Sequence, residues 1–196
     1  MTRALALVVL LACAGAPAAA LDCVYAAAEP AAELAPRGDC GRISAGGIEL
    51  SPRHLAALHF DAEGLGRVYA ASRVFYVLAS GRSAEVLLVD NGPDDFRDGL
   101  ARGVAGGKVG FVDRSLAFRI PARWDHALPF ERGHAVVCDG CVELEVEGGE
   151  HRVREGGRWG LIDRAGRIVV PVEHTKEGLA ASAAYRALVE PATRPR

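Results

Sequence analysis

GKVGFVDRSLAFRIP at 107–121 and GRWGLIDRAGRIVVP at 157–171 are one phrase written twice. Each reads Gly, a basic residue, an apolar residue, Gly, two apolar residues and Asp-Arg, then an Ile upstream of a Pro. Self-similarity of this kind marks a repeat architecture, in which one small unit buries its apolar face against the next. Such arrays act through an extended surface more often than through a catalytic pocket.

The register extends beyond the phrase. An aromatic residue shortly before a Gly recurs as Phe60 to Gly64, Phe96 to Gly99 and Phe130 to Gly133, and these glycines are 35 and 34 residues apart. Ten residues separate the Gly from an apolar run in the first two units, Gly64 to Val74 and Gly99 to Val109. In the third, Gly133 to Trp159 is 26, so sixteen extra residues intervene, around Cys138-Asp139-Gly140-Cys141.

Short β-branched or aromatic runs at 68–78, 85–89, 109–112, 118–120, 134–137, 142–146, 159–162 and 168–172 are bounded by Gly, Asp and Pro. They predict a mostly-β fold of tandem antiparallel hairpin or meander repeats, in one compact or short solenoid-like domain. Residues 179–189 favour a short C-terminal helix over the last sheet edge. The Ala-, Pro- and Gly-rich stretch 21–47 reads as an irregular arm, the repeat domain as 48–180 with a CxxC insertion at 138–157, and 181–196 as helix and tail.

GRWGLIDRAGRIVVP resembles the WG-repeat family, named for the pair that stands here as Trp159-Gly160. The middle unit has Val109-Gly110 in that place and the first has Val74-Phe75. The resemblance implies a β-rich tandem module, often exported or envelope-associated in bacteria, with no common enzymatic role. In the residues themselves, Val109, Phe111, Trp159, Leu161, Ile162 and Ile168 are apolar positions for a shared core. Gly160 admits a close neighbour, and Gly110 stands in the matching place of the middle unit. Asp163-Arg164-Ala165-Gly166 is a turn signal, and Pro171 ends the strand after it.

Residues 1–20 read as a secretory leader: Arg3, the apolar run 4–12, and Ala18-Ala19-Ala20 before a cut. A lipoprotein cut at Cys13 is disfavoured by the bulky Leu11. The run is too short to span a bilayer and no later segment approaches that length. The chain is expected to be periplasmic or extracellular, and its Ala, Arg and Gly bias suggests a GC-rich bacterial genome. With Arg3 removed, 22 basic residues face 25 acidic ones. That balance lacks the clustered basic face that nucleic acid requires.

Four cysteines then remain, and an even number in an exported chain reads as disulfides, in sequence order Cys23–Cys40 and Cys138–Cys141. Asp139-Gly140 is a two-residue hairpin signal, which would set Cys138 and Cys141 across from one another as a staple. Two alternatives stand beside it. A redox dithiol usually sits at a helix N-terminus, and here the surroundings are β and Asp139 is acidic. A zinc site would need His126, His134 or His151 as further ligands and lacks a second CxxC. His54 and His59 read as surface or packing residues, and 90–95 as a solvated turn without EF-hand spacing. Glu143, Glu145, Glu147 and Glu150 alternate with apolar residues as an acidic strand face. No hydrolase triad, phosphate loop, metal site or cofactor is indicated.

The expected function is non-catalytic surface recognition of a protein or envelope component by strand faces and the 138–157 excursion. Trp124, Phe130 and His151 are possible contributors. The alternative is a periplasmic thiol–disulfide accessory using the CxxC. Neither the partner's identity nor the oligomeric state is read from these residues.

Overall fold

The computed structural model describes residues 21–28, 33–145 and 152–189. The leader, 190–196 and His151 lie outside them. β1 (Leu21–Ala26), β2 (Leu34–Ser44) and β3 (Gly47–Leu50) precede a short helix, α1 (Pro52–Ala57). Three three-stranded meanders follow. The first is β4 (Leu65–Ala70), β5 (Arg73–Leu78) and β6 (Ser83–Val86). A small hairpin, β7 (Leu88–Val89) and β8 (Gly92–Pro93), leads to the second meander, β9 (Ala101–Ala105), β10 (Lys108–Val112) and β11 (Phe118–Trp124). β12 (His126–Ala127) leads to the third: β13 (His134–Glu145), β14 (Arg152–Asp163) and β15 (Ile168–His174). Two short helices close the chain, α2 (Lys176–Ala181) and α3 (Ala183–Leu188).

The fold is mostly β, as its patterning predicts. Nine strands form one curled antiparallel sheet in the order β11-β10-β9-β6-β5-β4-β1-β2-β3, and four form a second, β12-β13-β14-β15. The sheet curls far enough for β3 to meet β6. The Ser83 hydroxyl accepts from the Ile48 N–H at 2.8 Å and donates to the Ile48 carbonyl at 2.7 Å. The Glu85 N–H donates to the Gly46 carbonyl at 2.9 Å. The first six strands thereby close on themselves around Tyr25, Ile48, Leu58, Val68 and Phe75.

The 35-residue register recurs in backbone conformation. β4–β5 and β9–β10 turn on two left-handed residues each, Ala71-Ser72 and Gly106-Gly107, as type I′ hairpins require. The Asp98-Gly99 and Arg132-Gly133 turns that enter the second and third meanders have the same form, with φ of 50° and 80°, and 52° and 79°. The turn after each meander's middle strand also repeats. The Gly81 N–H bonds the Leu78 carbonyl, that of Leu116 bonds Asp113 and that of Gly166 bonds Asp163, at 2.8–2.9 Å.

The two phrases share a further feature. Opposite Gly110, pairing jumps from Val109↔Trp124 to Phe111↔Ile120, and opposite Gly160 from Trp159↔His174 to Leu161↔Val170. A Cβ on Gly110 would stand 2.5 Å from the Ala122 nitrogen and the Ile120 carbonyl oxygen. One on Gly160 would stand 2.6 Å from the Val170 carbonyl oxygen. The third strand therefore bulges into the space the missing side chain leaves. The first unit carries Phe75 there, and its β5–β6 pairing runs without a shift.

Several sequence expectations change. The stretch read as an irregular arm forms β1 and β2, with Cys23, Tyr25 and Cys40 turned inward. Its partners are distant in sequence, β1 pairing with β4 at Cys23↔Ala70, so its local composition concealed them. The run 68–78 is two strands, β15 continues through Pro171 to His174 where an end was expected, and the C-terminal helix breaks at Ser182, which caps α3 by accepting from the Tyr185 N–H. Within 90–95, Asp94 is buried rather than solvated. Its carboxylate accepts from the Arg102 backbone N–H at 2.7 Å and pairs with the Arg102 guanidinium. Of the two readings given for His54, packing holds: it lies inside the closed strands, 2.6 Å from the Tyr25 hydroxyl.

Candidate functional site

Two places gather chemistry-bearing side chains, the cysteine hairpin and a groove where the three meanders meet. The hairpin begins with an arithmetic match. Gly106-Gly107 turns β9 into β10; 34 residues after Gly106 stands Gly140, and two before Trp159 stands Gly157. Both keep the left-handed conformation of that turn, φ 77° and 66°. The sixteen extra residues are therefore 141–156, standing between the two residues that match the Gly106-Gly107 turn.

Asp139-Gly140 is thus no hairpin tip, which corrects the local reading of CxxC. The β13–β14 ladder runs on from Asp139↔Arg158 to Cys141↔Gly156 and Glu145↔Arg152 with no change of register. Cys138 belongs to the repeat body and Cys141 is the first inserted residue. Their Cα atoms are 6.1 Å apart, and those of Cys23 and Cys40 are 6.0 Å apart, within the range a disulfide spans. Cys138 is fully buried and Cys141 is 6% exposed. The Gly157 backbone lies so close to Asp139, Cys141 and the Cys138 sulfur that no side chain fits there.

Asp125, the residue between β11 and β12, clamps this bend. Its carboxylate accepts from the Gly140 N–H at 2.7 Å and from the Lys108 ammonium at 2.6 Å. The Lys108 contact first, then the Gly140 N–H, holds the Asp125 carboxyl below its usual range. His126 pairs with Cys138 and sets its ring edge-on to Trp159, centroids 6.0 Å apart. Burial first, then the Arg154 charge, pushes His126 down to about 4, so its ring is neutral near pH 7. Beyond the bend, Glu143 pairs with Arg152 at 2.8 Å and also with Arg154, while Val142 and Leu144 are exposed. Of the acidic face expected here, Glu143 and Glu145 are paired across the ladder, and Glu147 and Glu150 lie outside the described residues.

The groove has a volume of about 560 Å³. The first meander supplies Leu65, Arg67 and Tyr76; the segment entering the second supplies Asp95, Phe96, Arg97 and Asp98, and that meander Arg114; the segment entering the third supplies Phe130, Glu131 and Arg132. The repeated turns at Gly64, Gly99 and Gly133 bring these residues to one end of the array. Asp61 accepts from the Glu63 and Leu65 N–H groups at 3.0 and 2.9 Å, and Asp98 from the Gly133 N–H at 2.7 Å. The Arg114 guanidinium lies 4.8 Å from the Phe96 ring centroid. Burial pushes the Tyr76 hydroxyl up to about 12, and it donates to the Asp94 carbonyl at 3.1 Å.

The predicted site residues divide accordingly. Val109, Gly110, Phe111, Trp159, Gly160, Leu161 and Ile162 are buried and structural, whereas Ile168, expected in the same core, is 51% exposed and Val170 is the residue of β15 that turns inward. Trp124 and Phe130, possible binding residues, are core at 6% and 1% exposure. Sequence reasoning passed over Arg97 and Arg114, because their neighbours across the groove come from other units. No group of three or more His, Cys, Asp or Glu among the described residues is arranged to hold a metal ion. No helix among them is long and apolar enough to cross a membrane.

Residues 110–140 and 159–181 match the family model described as WG containing repeat. No curated protein and no solved structure matches the chain.

Proposed function

We propose that this chain, which carries WG containing repeats at 110–140 and 159–181, is an exported, non-catalytic repeat protein that recognises a protein or cell-envelope component with its surface. The observation that supports this most directly is the groove. Three successive units converge on one open, polar hollow, and the extended faces of repeat arrays are suited to binding. Two of its carboxylates, Asp61 and Asp98, are engaged in capping backbone N–H groups.

The leader-like residues 1–20 support export. In an oxidising compartment Cys23 with Cys40, and Cys138 with Cys141, serve as structural disulfides. The alternative, a thiol–disulfide accessory, calls for an accessible thiol of lowered pKa. The burial of Cys138 beneath the Gly157 backbone favours a staple that ties the insertion to the repeat body.

The test is capture from solubilised envelope fractions on the immobilised protein. The wild type is expected to enrich a discrete component, and Arg97→Ala/Arg114→Ala to lose it. Equal capture by both, or none by either, contradicts the reading. A thiol titration of the folded protein decides the alternative: a Cys138–Cys141 pair that cycles readily under mild reductant would replace the staple with a redox role.

A further inference from the structure

We propose that the groove between the three meanders is a binding site for a linear, uncharged oligosaccharide. The inference rests on the surface-recognition reading above and gives it a ligand class. It begins from the charge of the rim, where exposed Arg97 and Arg114 alternate with exposed Asp95 and Glu131. A polyanion or polycation entering such a groove meets repulsion and attraction in nearly equal measure. A guanidinium only donates hydrogen bonds and a carboxylate only accepts them, whereas a sugar hydroxyl does both. Adjacent hydroxyls on one ring can bridge a carboxylate and a guanidinium without bringing any charge that needs compensation.

The groups are also held in place beforehand, which lowers the entropy cost of binding. Arg114 is steadied on the Phe96 ring. Asp98, beside Arg97, is fixed on the Gly133 N–H. A second hollow of about 320 Å³ adjoins it, sharing Arg67, Tyr76, Asp95 and Arg97, and reaches the β7–β8 hairpin. Two adjoining hollows suit a chain of sugar units better than a single one. The aromatic residues of the main hollow are half-buried at Phe96 and buried at Tyr76 and Phe130, so an apolar ligand finds little surface to cover.

The experiment is calorimetric titration of the folded protein with linear six-unit sugars: β-1,4-glucan, α-1,4-glucan and β-1,4-linked N-acetylglucosamine. A six-unit galacturonate and an acidic hexapeptide serve as charged counterparts. At least one neutral chain is expected to bind, with its three-unit fragment markedly weaker. Asp95→Ala and Arg114→Ala should each weaken it about tenfold, as for one charged hydrogen bond lost, with unfolding temperatures unchanged. Binding by none of the neutral chains, or tighter binding of the galacturonate or peptide, overturns the assignment. Envelope capture separates the two levels. Groove-dependent capture with flat sugar titrations sinks only the ligand class, and failure of both sinks the recognition reading with it.

Discussion

Gly110 and Gly160 do the same work at matching places, and that work is steric. Each leaves room for the bulge of the strand after it, so Gly110→Ala or Gly160→Ala must push that strand away. Overpacking of this kind costs about 1–3 kcal/mol, and a lower urea midpoint at unchanged m-value is the expected result. The acidic residue of each phrase acts locally. Asp113 accepts from the Ser115 N–H at 2.8 Å and from Arg119 at 2.5 Å, and Asp163 from the Ala165 and Arg167 N–H groups at 2.9 and 3.0 Å. Desolvation pushes the Asp113 carboxyl up, but the Ser115, Arg119 and backbone hydrogen bonds outweigh it and hold it below its usual range. A lowered folded pKa contributes stability above the unfolded value of about 3.9, lost as pH falls through the folded one. The urea midpoint should therefore drop below about pH 4 in the wild type, and drop less in Asp113→Asn. Glycine and Asp-Arg were legible as turn and close-approach residues; why Gly110 must be Gly was not, since Ala122 belongs to another strand.

The β13–β14 hairpin shows where local reading fails. Asp139-Gly140 carries a strong turn signal, and Gly140 does adopt a turn conformation. Its partner in that turn is Gly157, seventeen residues further on, so no short window contains the pair. Counting the repeat put sixteen extra residues between Gly133 and Trp159; the direction of the chain through them depended on the ladder with β14. Gly157→Ala is expected to disrupt this bend, since a Cβ there would collide with the Cys138–Cys141 segment. Loss of the 2.7 Å Gly140–Asp125 hydrogen bond, seen as faster exchange of the Gly140 amide, is the readout. His126 adds a pH dependence. Its folded value is lowered to about 4, so between about pH 6.5 and pH 4 the unfolded chain takes up a proton that the folded one refuses. Stability should fall with pH across that window, and less steeply in His126→Gln.

At the scale of the molecule, mostly-β repeat architecture was legible from two phrases and a spacing, while closure was not. β3 meets β6 through the Ser83 hydroxyl, a contact 35 residues apart in sequence with no local signature. The join between the sheets is equally silent. Arg102, on β9, pairs with buried Asp94 and donates to the Ala127 carbonyl of the second sheet at 3.1 Å. Arg102→Leu would strand the Asp94 carboxylate in the interior, at a cost of about 3–5 kcal/mol, read by urea unfolding. These joins set the three meanders around one groove, and recognition through that groove is the claim on which the functional account stands. Hydrogen–deuterium exchange of the protein with and without envelope extract tests it most directly. The account predicts protection at 61–67, 95–98 and 130–134. Protection confined to 141–145 and 152–156 would contradict it and move recognition to the inserted arm.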